Sequence, residues 1–286
     1  MKLIKPSYEI LPQAPCLEGV YKQIELAGRV CYKSEDKITE TSAKEFVDML
    51  IKRGHLSVLE HGTVYLKISY KSPETDSDYL SKMDIITFFK RDTYSRVIIG
   101  LDVIDTSISH CYITTNMRVI AENDKFEALQ YICEPKEPHV KRTTVKFICS
   151  RSTSHQLVRH RVMSFAQESQ RYCNYSLDKF ENQITFVYPS WLEEFDEQRA
   201  LDESPCPDFT YGLLYAEQRY FDLLEQGLKP QQARQILPNA CKTEIVVTGY
   251  DNDWEELLDL RCGAGADPDI KQLMNPLKEE LCFGLE

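Results

Sequence analysis

Hydrophobic positions recur with two periods along the chain, and the switches between them mark out helices and strands. Over residues 16–31, Leu17, Val20, Tyr21, Ile24, Leu26 and Ala27 fall near a helical repeat and predict an amphipathic helix. Ser42-Ala43-Lys44-Glu45 has the form of a capping box, in which serine and glutamate satisfy the free N–H groups at a helix start. It predicts a helix through Phe46, Met49 and Leu50, ending at Gly54 because glycine readily takes the left-handed conformation that closes a helix. The period then becomes two. Val64, Leu66 and Ile68 alternate with Tyr65, Lys67 and Ser69 over 63–69, and Val145, Phe147 and Cys149 share one side of 143–149. Both stretches predict strands.

A helix is expected to begin near Ser152–Ser154 and to carry Arg159 and Arg161 at its C-terminal end, followed by a polar loop through Tyr172. Farther on, the pattern predicts a long helix over 208–226 closed by Gly227. Pro230 opens a short helix that stops before Pro238, as proline suits a first turn and breaks an interior. A strand follows over 243–248, then a helix over 252–262 with Trp254, Leu257, Leu258 and Arg261 on one face. An arginine ending an apolar stripe either extends its head to water or aims a cation at an anion. The fold class is α/β of the α+β type, with a mixed sheet and flanking helices.

The chain has 286 residues, 42% of them hydrophobic, ample for a core. No apolar run approaches membrane-spanning length, and Met1-Lys2-Leu3-Ile4-Lys5-Pro6 lacks the apolar core of an export signal, so a cytoplasmic protein with no membrane partner is expected. Ten cysteines lack paired CxxC spacing and read as reduced thiols, mostly buried. The histidines at 55, 61, 110, 139, 155 and 160 show no HExxH or similar ligand spacing, so no metal site is expected. Gly263-Ala264-Gly265-Ala266-Asp267 resembles the start of a dinucleotide loop, but it follows a predicted helix rather than a strand, and the sixth position is Pro268. Any nucleotide cofactor is therefore held by a non-Rossmann architecture.

Charge narrows the chemistry. The formal net charge is -11, yet the stretch from Arg159 to Tyr172 carries three arginines, His160, Ser164 and Ser169, with Glu168 its only acid. Guanidinium forks hold phosphate bidentately, and hydroxyls and backbone N–H groups add further bonds. One dense basic knot in an acidic protein suits a small anion, whereas nucleic-acid binders spread basic charge over a face. No nucleic-acid partner is expected. A solvated, salt-bridged surface helix would carry the same residue types.

The order of these residues adds a resemblance. Arg159-His160-Arg161, seven residues, then Ser169-Gln170-Arg171-Tyr172 resembles the signature of the flavin-dependent thymidylate synthases, the ThyX family. Arg29-Val30-Cys31-Tyr32, His55-Leu56-Ser57-Val58-Leu59-Glu60-His61, Ser154-His155-Gln156-Leu157-Val158, Ala233-Arg234-Gln235-Ile236-Leu237-Pro238 and Leu257-Leu258-Asp259-Leu260-Arg261 resemble further family segments, in order. The resemblance runs from about residue 15 to about residue 275, with one interruption. It implies a ThyX-like fold assembled as a homotetramer, with flavin and nucleotide sites at subunit interfaces. It implies reductive methylation of dUMP to dTMP, with 5,10-methylenetetrahydrofolate as carbon donor and NADPH-reduced FAD as hydride donor.

By this resemblance, dUMP is bound by Gln156, Arg159, Gln167, Glu168, Ser169, Gln170, Arg171, Arg234 and Arg261. FAD is bound by His61, Thr63, Arg159, His160, Arg161, Val162, Gln167 and Asn252. Arg159, Arg261 and Ser169 are the catalytic candidates. Each has a plainer reading: His61 as a structural histidine, the glutamines as surface amides, Arg234 as an ion-pair partner. The chain departs from the family pattern in three places. Tyr250 stands where many members carry asparagine. A histidine is missing near Ala266-Asp267-Pro268. His61 and Arg159 lie 98 positions apart, so residues of about 71–140 form an insertion within what is otherwise a single domain over 1–286. Apolar runs such as Val97-Ile98-Ile99 and Met117-Arg118-Val119-Ile120 mark that insertion as folded, and an elaboration at the rim of the site.

Cys173, two residues after Arg171, admits another chemistry: a thiolate of depressed pKa adding to uracil C6, as in the folate-only class of thymidylate synthase. Two non-enzymatic readings also remain open, a silent nucleotide-binding protein and an RNA binder using Arg159–Arg171.

Overall fold

The structure is a computed structural model that describes residues 1–102, 104–194 and 204–281. Its central sheet has the order β2 (Ser7–Ile10), β6 (Arg142–Ser150), β9 (Lys242–Tyr250) and β7 (Ser164–Gln167), with every pairing antiparallel. The two long strands pair in register, Val145 opposite Val247 and Phe147 opposite Ile245. On one face these four side chains meet Trp254, Leu257 and Leu258 of α8 (Asp251–Cys262) and Ile270, Leu273, Met274 and Leu277 of α9 (Pro268–Leu281). On the other face Val246 and Ala166 pack against Ala27 and Val30 of α1 (Cys16–Tyr32). Strand β9 is covered on both sides, which is why all its residues after Lys242 are buried and its middle, Ile245-Val246-Val247, is a continuous apolar run rather than an alternating one.

A second antiparallel sheet has the order β3 (Thr63–Tyr70), β5 (Ser109–Asn116), β4 (Arg96–Leu101). Val64, Leu66 and Ile68 point inward as their alternation predicts, and join Cys111 and Ile113. This face is closed by Val20 and Ile24 of α1, Phe46, Val47 and Leu50 of α2 (Ser42–Lys52), and Ile85, Ile86 and Phe89 of α3 (Tyr79–Arg91). A strand such as β3 needs partners for its ladder, and residues 96–116 supply them. Then α4 (Met117–Glu122) returns the chain toward β6, its start capped by Asn116, whose side chain accepts from the Arg118 and Val119 N–H groups. A third cluster forms where β1 (Lys2–Ile4) pairs in parallel with β8 (Thr185–Val187). Leu3 and Phe186 there meet Leu213 and Tyr220 of α6 (Pro207–Glu225) and Ala233 of α7 (Pro230–Ala233).

Three local expectations are corrected. Ser42 does not cap α2: its hydroxyl donates to Glu25 Oε2 at 2.8 Å and accepts from the Thr39 N–H at 2.9 Å. Glu25 is 1% exposed, and its other oxygen takes the Arg29 fork at 2.8 and 3.1 Å, so a buried carboxylate claims the serine that the local pattern assigned to the backbone. The helix begun near residue 152 is α5 (Arg151–Leu157), which stops before Arg159. The polar run after it is not all loop, because residues 164–167 form strand β7. The close of α2 is as expected: Gly54 has φ +69, and the N–H groups of His55 and Gly54 bond to the Leu50 and Ile51 carbonyls. Among the described residues no helix is long and apolar enough to cross a membrane.

Candidate functional site

Strand β6 runs directly into α5, whose first turn is capped by Ser150 Oγ accepting from the Thr153 N–H. Past Leu157 the chain tightens into turns, with the His160 N–H bonded to the Leu157 carbonyl and the Met163 N–H to the His160 carbonyl. These turns set the directions of the motif. Arg159, Arg161 and Val162 are exposed, while His160 faces inward. Its Nε2 accepts from Arg261 Nε at 3.0 Å, and Arg261 also donates to the Gln156 carbonyl at 2.9 Å. Partial burial, then the Arg261 cation, hold the His160 pKa below its ordinary value, so the ring is neutral and Nε2 is the acceptor. The Gln156 amide donates to Asp267 Oδ2 at 2.9 Å. Asp267 lies in the stretch where the family histidine is missing, and here it orients a glutamine. Gln156, Arg159, His160 and Arg261 thus form one cluster built by α5, the turn after it and the end of α8.

The second half of the motif faces a different neighbourhood. Strand β7 pairs with β9, which carries the chain past Gln167 to the C-terminal end of α1. There the Ser169 N–H donates to the Cys31 carbonyl, and the Tyr172 and Cys173 N–H groups fold back onto the Ser169 carbonyl. Arg171 is exposed and donates from Nε to Gln231 of α7 at 3.4 Å. Arg234 opens the 3-10 turn that directly follows α7 and forms no ion pair among the described residues. Ser169, Arg171 and Arg234 make a second cluster, and no hydrogen bond or ion pair among the described residues joins it to the first.

Several candidates serve the interior instead. The Gln167 amide donates to Ser154 Oγ at 2.8 Å and Thr243 Oγ1 at 3.2 Å, tying β7 to α5 and β9. Glu168 is 2% exposed and pairs with Lys242 at 3.0 Å, while buried Gln170 donates to Cys241 Sγ. His61 is fully enclosed: Nδ1 meets Thr248 Oγ1 at 2.8 Å, and Nε2 finds no hydrogen-bond partner among the described residues. Burial, then the nearby Arg142 cation, hold its pKa at about 3. Thr63 is buried beside it, its backbone bonded twice to the Gln13 side chain. Neither His61 nor Thr63 presents its side chain at the surface of this chain. Asn252 is exposed on the first turn of α8. Tyr250 is 6% exposed, and its hydroxyl reaches the carbonyls of Tyr94 and Thr114 at 2.8 and 3.0 Å.

The Cys173 thiol is 1% exposed in the third core cluster. Burial, then the Glu168 carboxylate, push its pKa up to about 12, so it is a packed thiol rather than a thiolate. Sequence reasoning missed two groups. Lys242, Lys33 and Lys146 surround Glu244 at 2.6–2.8 Å beneath the Ser169 turn. Arg96 and Arg142 flank Tyr250, their guanidinium carbons 4.7 and 5.4 Å from its ring centre. The signal for the first was present, since Lys146 and Glu244 are charged positions directly before the apolar runs Phe147-Ile148-Cys149 and Ile245-Val246-Val247. The second depends on the insertion, whose docking no local pattern displays.

A flavin-dependent thymidylate synthase of Geobacter sulfurreducens is 35% identical over 127 residues, covering 43% of this chain and 49% of that protein. One of Mycobacterium marinum is 36% identical over 132 residues, covering 43% and 50%. The matched stretch spans about half the length of these relatives. A crystal structure of the UMP/dUMP methylase PolB from Streptomyces cacaoi, bound with 5-Br dUMP, aligns over 98% of this chain and 92% of that one, at 15% identity and a TM-score of 0.42. The likeness is too distant to carry function. The sequence model of the family described as thymidylate synthase complementing protein matches residues 17–73 and 139–282, well over half of the chain and both arginine clusters, and passes over residues 74–138. The chain belongs to the thymidylate synthase complementing protein family.

Proposed function

We propose that this protein is a flavin-dependent thymidylate synthase, converting dUMP to dTMP. The balanced reaction takes dUMP, 5,10-methylenetetrahydrofolate, NADPH and a proton to dTMP, tetrahydrofolate and NADP+. The observation that carries this reading is the display of arginines. Arg159, Arg161 and Arg234 form no ion pair with a carboxylate among the described residues, although the chain has 45 acidic residues against 34 basic ones. Cations left unpaired in an acidic protein suit anionic ligands.

Arg171 and Arg234, with the Ser169 hydroxyl, hold the 5′-phosphate of dUMP. Arg261 and Arg159 face the uracil and stabilise the negative charge that develops on its carbonyl oxygens as C5 becomes nucleophilic. Neutral His160 fixes the Arg261 fork, and Asp267 fixes Gln156 for a ring edge or ribose. FAD fits at Arg159, Arg161, Val162 and Asn252, which are exposed. His61 and Thr63 support this region from within, since neither side chain reaches the surface. Bound there, FAD would supply the redox chemistry that links NADPH to reduction of the one-carbon unit on uracil. The two arginine clusters complete one another across subunits of a homotetramer.

The test is product analysis. Protein incubated with dUMP, methylenetetrahydrofolate and NADPH should release dTMP and tetrahydrofolate, and the purified protein should carry a yellow chromophore that NADPH bleaches. Release of dihydrofolate with dTMP, or a colourless protein without dTMP, overturns the proposal.

A further inference from the structure

A cavity of about 310 Å³ lies between the insertion and the Arg159–Tyr172 motif. One wall is Tyr94, Arg96, Asn116 and Arg118, all within the stretch that the family match passes over. The other is Arg161, Val162, Ser164 and Tyr250, with Arg142 also lining it. Four arginines stand against three carboxylates, Glu60, Glu122 and Asp253. The acids are engaged: Glu60 and Glu122 both pair with Arg118, and Asp253 accepts from the Tyr250 N–H at 3.0 Å. Arg96, Arg142 and Arg161 have no carboxylate partner among the described residues. Arg142 Nε is buried with no hydrogen-bond acceptor among the described residues, while Nη1 donates to the Glu60 carbonyl at 3.0 Å and Thr63 Oγ1 at 3.3 Å. Arg96 spends one nitrogen on the carbonyls of Thr93 and Ser95 at 3.1 Å, leaving donors of its fork free. Also lining the cavity are two exposed apolar side chains, Tyr94 at 66% and Val162 at 68%.

We propose that the insertion completes a nucleoside-diphosphate pocket, with Arg96 and Arg161 on the diphosphate and Tyr94 and Val162 against the base. Guanidinium forks match adjacent phosphates, and an exposed aromatic ring beside them gives a planar base a face to stack on. The volume is at the small end of the ligand-pocket range, suiting one nucleotide moiety and leaving the rest of a larger cofactor outside. The inference rests on the proposed function in one respect: the dinucleotides of that reaction, FAD and NADPH, both contain such a moiety.

The test is calorimetric titration with ADP of the full-length protein, freed of any flavin it carries and checked by circular dichroism to be folded. Arg96→Gln should weaken ADP roughly tenfold to a hundredfold, as loss of a charge-assisted contact does. Arg96→Lys should fall between, because charge remains and the fork is lost. Tyr94→Ala, at a position 66% exposed where truncation removes little packing, should weaken ADP several-fold. Displacement of ADP by FAD or by NADPH identifies which dinucleotide enters, and FMN should not displace it. Wild-type protein that does not bind ADP, or Arg96→Gln and Tyr94→Ala variants that bind it as the wild type does, overturns the pocket. Binding of dUMP and release of dTMP are read separately, so failure of the synthase reading leaves the ADP result standing, and the reverse.

Discussion

His61 is a neutral imidazole sealed in the core, and this makes it sensitive to pH. Its folded pKa of about 3 lies below the ordinary value of 6.5. The unfolded chain therefore takes up a proton at a pH where the folded chain does not. This contribution to stability is fully present above about pH 6.5 and is lost as pH falls toward about 3, at up to roughly 1.4 kcal/mol per pH unit. In urea titrations at pH 6.5 and pH 4.5, His61→Gln should show a shallower loss of stability than the wild type. Parallel slopes would show that the histidine titrates freely. Cys173 makes the opposite point: with a pKa near 12 it cannot serve as a nucleophile at neutral pH. Cys173→Ala should keep turnover while losing about 1 kcal/mol to the small cavity, and an inactive but folded variant would restore the thiolate mechanism. The sequence named both residues, but ligand contact and core packing use the same letters. Only burial distinguishes them, and burial is a property of the assembled fold.

Elements were legible where one face decides them. Residues 16–31, 63–69, 143–149 and 243–248 pack as their periods predict because each buries one stripe, or is covered on both sides. Boundaries failed where a distant partner intervened: Glu25 took Ser42, and β9 drew residues 164–167 into its sheet. The turn at Ser169 is held from below by such long-range pairing. Lys242 bridges Glu168 at 3.0 Å and Glu244 at 2.6 Å. Burial alone would raise the Glu244 pKa, but Lys242 and Lys33 hold it well below the carboxylate range. Removing the lysine strands Glu168 without a cation, so Lys242→Met should destabilise by about 3 kcal/mol, with Glu168→Gln in the same chain recovering part of it. An additive double mutant would show that the pair is uncoupled. Gly54, at φ +69, is a simpler case: Gly54→Ala should cost about 1–2 kcal/mol in thermal unfolding, since a Cβ is disfavoured in that conformation.

At the scale of the whole molecule, the motif is contiguous in sequence and divided in space. Gln156, Arg159, His160 and Arg261 gather at the end of α5, while Ser169, Arg171 and Arg234 gather between α1 and α7. A nucleotide that uses its phosphate on one cluster and its base on the other needs both within one site. Closed symmetric assembly provides this, because the same two surfaces on each chain can complete each other. Arg171→Ala and Arg261→Ala should each lose most activity alone, as either removes a charged ligand contact. The assembly makes a further demand. When the two variant chains are coexpressed, random pairing places intact Arg171 of one chain opposite intact Arg261 of the other in about a quarter of shared sites. Activity should return to roughly that fraction of wild type, in the oligomeric peak of a light-scattering trace. If both arginines served a site within one chain, every site in the mixture would still lack one of them. Mixed oligomers without recovered activity would therefore return both clusters to a single subunit, and would require the chain to close on itself to bring them together.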